Sequence, residues 1–168
     1  MAILVLAQIP LGIYASRLPI GLERLQWLSR HKAIGITLLA LVLARLLWRL
    51  AVPPPALPGS MPRWEQRAAT ITHRMLYALL LAAPIAGWLY ASAAGLSVSW
   101  FGLVHVPDLI AKDRALADAF KLTHTVLVSL LAVLIAGHVA AALRHALLRH
   151  DGVMQRMLPW QRRDTGVD

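Results

Sequence analysis

Apolar residues in this chain run in long blocks instead of alternating with polar ones. A window matched to the roughly 20 residues that a helix needs to cross a bilayer picks out four blocks, at about 1–16, 32–51, 70–93 and 120–147. Charged residues collect between the blocks and after the last one. The pattern predicts an all-α fold, an integral membrane four-helix bundle forming a single domain over residues 1–168. The first block is short and begins at Met1 inside its own apolar interior. It has no basic flank and no small-residue cleavage site before Arg17, so it does not read as a signal peptide. It reads as a helix cut at its front. The linker PPPALPGSMP (53–62) is expected to be extended and irregular. Pro84 and Gly87, in APIAGW, predict a kink or a close helix contact in the third span. Segment 109–118 is expected to form a small interfacial helix.

Composition agrees with lipid as the solvent. Hydrophobic residues make up 58% and charged residues 15%, and the mean hydropathy is +0.61, more apolar material than one small core can bury. The net charge of +9 is spread between and after the spans, which argues for an anionic membrane surface and against nucleic acid. There is no cysteine, which excludes disulfides, iron–sulfur ligation and zinc–thiolate sites. No nucleotide-binding loop, dinucleotide fingerprint or catalytic triad is present.

Charge also sets direction. Arg45, Arg49, Arg63, Arg67 and Arg74 flank the second loop against a single acid, Glu65, and Arg144, Arg149, Arg156, Arg162 and Arg163 follow the last span. The third loop mixes Asp108, Asp113 and Asp118 with Lys112, Arg114 and Lys121. The positive-inside rule puts the second loop and the C-terminus in the cytoplasm, with loops 17–31 and 94–119 on the other side.

The chemistry left to such a chain lies in its histidines. His124 and His138 stand fourteen residues apart in KLTHTVLVSLLAVLIAGHVAAAL (121–143), with no charge between them. That spacing is about 21 Å of rise and returns to nearly the same helix face. A lone imidazole in hydrocarbon is satisfied by one interhelical hydrogen bond. Two on one face at two depths suggest stacked ligands, and haem is the natural candidate for a flat group held between helices. If spans two and four run in the same direction, His31 lies level with His124, and Gly35 below it would let a porphyrin edge approach. Gly137 could do the same beside His138. The partner of His138 should come from the cytoplasmic end of the first span, with His73 as the fallback.

The ordered phrases HKAIG (31–35), HRMLYALLLAAPIAG (73–87) and WFGL (100–103), with the His124–His138 pair, resemble the bacterial cytochrome b561 family over about residues 2–160. The resemblance implies a four-helix protein of the bacterial inner membrane with two b-type haems. It would move electrons between membrane quinone, such as ubiquinone, and another redox partner, and one branch of the family oxidises superoxide. By position His31 and His124 would ligate the outer haem. His138 would ligate the inner one, opposite a first-helix histidine that stands in a phrase like HW-x-M-A. Here that histidine would fall just before Met1, so the expectation is a start upstream of Met1. The alternative is a shortened protein whose inner site is incomplete or rescued by His73. In the family His73 is not normally an axial ligand, and a bond to a haem propionate, a quinone or a neighbouring helix is its expected role.

The remaining histidines read more plainly: His105 as a solvated loop residue, His145 and His150 as parts of the basic end. Arg45 and Arg49 either snorkel to lipid phosphates or pair with haem propionates. Trp48, Trp64, Trp88, Trp100 and Trp160 sit near span ends as interfacial anchors. Two other roles are consistent with the same residues: a cytochrome b anchor subunit of a larger oxidoreductase such as a hydrogenase, and a haem-free membrane scaffold.

Overall fold

The computed structural model describes residues 1–52, 62–144 and 147. Its elements are α1 (Ala2–Arg17), α2 (Leu22–Ala51), α3 (Arg63–Ala93), a hairpin of β1 (Val98–Trp100) and β2 (Val104–Val106), and α4 (Arg114–Arg144). The protein is therefore an all-α membrane bundle carrying one small hairpin. Of the four expected spans, α2, α3 and α4 are long and apolar enough to cross a bilayer, while α1 is a shorter apolar helix of 16 residues.

The helices begin earlier than the hydropathy blocks. α2 starts at Leu22 instead of 32, α3 at Arg63 instead of 70, and α4 at Arg114 instead of 120. Hydropathy marks only the lipid-immersed length, whereas a helix continues into the interface as long as its backbone bonds and caps are satisfied. At α4 the cap is explicit. The Leu116 N–H donates to Asp113 Oδ1 at 2.9 Å, and the Ala117 N–H donates to the Asp113 carbonyl. This start corrects the expectation of a separate helix at 109–118: residues 109–113 are non-helical, and the rest is the opening of α4.

The connection 94–113 holds the hairpin, which pairs Val98 with Val106, Ser99 with His105 and Trp100 with Val104. Its turn places Phe101 and Gly102 at φ +51° and +76°. Glycine takes that conformation freely, and phenylalanine only under constraint. The hairpin is pinned to the bundle. Trp100 Nε1 donates to Thr37 Oγ1 at 3.0 Å, Lys32 Nζ to the Ser97 carbonyl at 2.7 Å, and Trp88 Nε1 to the Pro107 carbonyl at 3.0 Å.

α1 packs on α2, α2 on α3 and α3 on α4, while α4 makes no comparable backbone approach to α1 or α2. One layer of four residues, one from each helix, ties the bundle: Val5, Leu38, Leu79 and Leu131. Leu131 lies midway between His124 and His138, and Leu38 lies two helical turns beyond His31. The outward faces are apolar, with Leu122, Val126, Leu130 and Val133 of α4 all exposed. In water such a face would be a liability, and in lipid it is the required surface. The layer divides the molecule into a hairpin end and an arginine end.

Candidate functional site

At the hairpin end, α2 and α4 bring His31 and His124 together edge-on, with ring centroids 6.3 Å apart and planes at 80°. With no close backbone approach between these two helices, the imidazoles meet between α1 and α3, whose Gly12 and Gly87 lie against them. The His124 Nδ1 lies 2.8 Å from the Ala83 carbonyl. A carbonyl only accepts, so Nδ1 carries the proton and Nε2 is left with its lone pair free. That is the arrangement a metal-binding histidine needs, with one ring nitrogen fixed by a carbonyl and the other available. His31 is held by its backbone, whose carbonyl accepts from Gln8 Nε2 at 2.6 Å, and its buried ring Nδ1 has no partner among the described residues.

Two glycines make room for these rings. A Cβ on Gly12 would stand 2.7 Å from His31 Cε1, and one on Gly87 would stand 3.0 Å from His124 Cε1. Both distances are shorter than ordinary carbon contacts, so any larger residue would displace the imidazoles. Gly87 thus makes the close contact expected of APIAGW, and α3 runs unbroken through Pro84. Gly12 had no such expectation. A Cβ on Gly35 would stand 3.5 Å from Gln8 Nε2, and among the described residues one on Gly137 would have no neighbour within 4 Å.

At the arginine end His73 of α3 is packed against His138 of α4, with centroids 5.4 Å apart and planes at 68°. The fallback residue is therefore the one that meets His138. One turn along α3, Tyr77 accepts hydrogen bonds from Arg45 Nε at 2.9 Å and Arg49 Nη1 at 3.3 Å, and the Arg49 guanidinium lies 5.2 Å from the centre of its ring. Both arginines reach across to α3. Below them Glu65, buried in the first turn of α3, faces Arg144 at 3.9 Å. His105 lies exposed on β2, and His145 and His150 lie outside the described residues.

The pairs suit an iron whose equatorial ligands come from a macrocycle. Among the described residues no three histidines and carboxylates converge as a protein-only metal site. Where a haem iron is bound, a pair of imidazoles from neighbouring helices would hold it. Metal–imidazole bonds of about 2 Å each, with ring radii of about 1 Å, separate opposed centroids by about 6 Å. The His31–His124 separation fits. The His73–His138 separation falls short by less than about 1 Å on the same reckoning.

Tyr77, Gln8 and Gly12 were not singled out from the sequence. A hint lay in the four-residue step from His73 to Tyr77, which puts both on one face of α3. Nothing in one dimension paired Gly12 with His31.

An apolar bundle that pairs histidines at two depths is compatible with a haem-carrying membrane protein. A profile of the prokaryotic cytochrome b561 family matches residues 1–160. The chain is 37% identical over 137 residues to cytochrome b561 homolog 2 of Escherichia coli K12, covering 82% of this chain and 73% of that one. It is 30% identical over 129 residues to cytochrome b561 homolog 1 of the same organism, covering 77% and 73%. It is 33% identical over 133 residues to a probable superoxide oxidase CybB of Yersinia pestis, covering 79% and 74%. The chain belongs to the prokaryotic cytochrome b561 family, membrane proteins that carry haem b and transfer electrons.

Proposed function

We propose that this protein passes single electrons between membrane quinone and a donor at its hairpin end, with superoxide as the donor. The observation that carries the reading is the His31–His124 pair, 6.3 Å apart, with His124 fixed through Nδ1 to the Ala83 carbonyl. When bound, haem b supplies a one-electron ferrous–ferric couple. His31 and His124 would hold one group on its two faces. Gly12 and Gly87 keep α1 and α3 close without displacing the imidazoles. His138 would hold the second group, with His73, whose ring packs against it, as the opposing imidazole. The Val5, Leu38, Leu79 and Leu131 layer keeps water from the space between the two levels.

We place the protein in the inner membrane with the arginine end in the cytoplasm, since Arg45, Arg49, Arg63, Arg67 and Arg74 gather there. The hairpin end then faces the periplasm. The similarity to a probable superoxide oxidase supports superoxide as the donor. The test is a visible spectrum of the purified, oxidised protein exposed to an enzymatic superoxide source. A reduced α band that superoxide dismutase abolishes is expected. An α band that appears with dithionite but not with superoxide would remove superoxide as donor and leave the electron-transfer role standing.

A further inference from the structure

Resting on this electron-transfer reading, we propose that Tyr77, backed by Arg45 and Arg49, binds the headgroup of a membrane quinone at the arginine end, its hydroxyl donating to a quinone carbonyl. A guanidinium has donors only, so the Tyr77 oxygen is the acceptor in both contacts, at 2.9 Å from Arg45 Nε and 3.3 Å from Arg49 Nη1. The phenolic hydrogen is then left over, and among the described residues no acceptor receives it.

Two cations at the same oxygen, with Arg49 also against the ring, draw electron density from the O–H and strengthen it as a donor. The cluster as a whole can only donate. Its complement is a ligand whose polar atoms can only accept, and an oxidised quinone, with two carbonyl oxygens and no N–H or O–H, fits that description. Access comes from the lipid: Leu47, Trp48 and Leu50 of α2 are exposed on the same end of the bundle and offer an apolar surface to an isoprenoid tail. A phospholipid phosphate is also acceptor-only, but position favours the quinone. Tyr77 stands one helical turn from His73, whose ring packs against His138 at 5.4 Å. A headgroup on Tyr77 therefore lies beside the inner histidine level, where electrons would arrive or leave.

The experiment compares the full-length holoprotein with Tyr77→Phe, which keeps the ring and removes only the hydroxyl. Titration calorimetry with a short-chain ubiquinone analogue should show binding weakened about tenfold, the loss expected for one charge-strengthened hydrogen bond. The KM for haem reduction by the matching quinol should rise comparably, with the haem content and α band unchanged. Wild-type quinone affinity and KM in the variant would overturn the proposal. So would loss of co-purifying phospholipid with unchanged quinone binding, which would make this a phosphate site. A wild-type protein with no reduced α band would instead sink the electron-transfer reading, and the calorimetry would still report on Tyr77 by itself.

Discussion

His124 donates its Nδ1 proton to the backbone carbonyl of Ala83, one turn before Gly87 on the neighbouring helix. The carbonyl fixes the tautomer, and Gly87 leaves the ring space to sit there, so α3 both orients and admits an imidazole belonging to α4. Much of the outer site depends on this one contact between helices.

Filling either glycine should disturb the site from the side. Gly87→Ala puts a methyl 3.0 Å from His124 Cε1, and Gly12→Ala puts one 2.7 Å from His31 Cε1. Overpacking of this kind costs about 1–3 kcal/mol. Both variants should fold with lowered thermal stability and a weakened low-spin signal in electron paramagnetic resonance. Gly137→Ala, which meets nothing within 4 Å among the described residues, should leave that signal unchanged. Equal effects at all three positions would contradict the assigned contacts.

The cap at Asp113 offers a change in stability separable from the site. Asp113→Ala removes the acceptor for the Leu116 N–H and should cost about 0.5–2 kcal/mol. Denaturation in detergent should show that loss while the haem content stays at the wild-type level. A fall in haem content would mean that the start of α4 is coupled to His124, ten residues on.

How much of this was legible in one dimension differs by residue. His31 and His124 could be paired from sequence because helix periodicity and alternating span direction fix both depth and face. The His73–His138 approach was open only as a fallback, since the rotation of α3 against α4 is set by packing. The same rotation hid Tyr77 from Arg45 and Arg49, and α1 packing on α2 hid Gly12 from His31. The hairpin at 98–106 escaped because its strands are three residues each and its turn holds Phe101 at positive φ where Asn or Gly would have signalled it.

Orientation can be read with reporters. The arginine-rich loop and tail predict that a fluorescent protein fused after Asp168 is bright and that alkaline phosphatase fused there is inactive. The same phosphatase inserted at the Phe101–Gly102 turn should be active. The reverse pattern would invert the bundle and put the hairpin end in the cytoplasm.

The inner level makes its own prediction. Because His73 is the imidazole that meets His138, His73→Ala and His138→Ala should lower the haem content of this chain alike. Loss with His138→Ala alone would show that His73 is a neighbour and not a ligand.

The central claim is that His31 and His124 hold a haem between α2 and α4, and the haem content of His124→Ala, measured as the pyridine haemochrome per chain, tests it most directly. The account predicts that one haem is lost relative to the wild type, together with its low-spin bis-histidine signal, and that His31→Ala does the same. Full haem content in both variants, with the α band undisturbed, would contradict it.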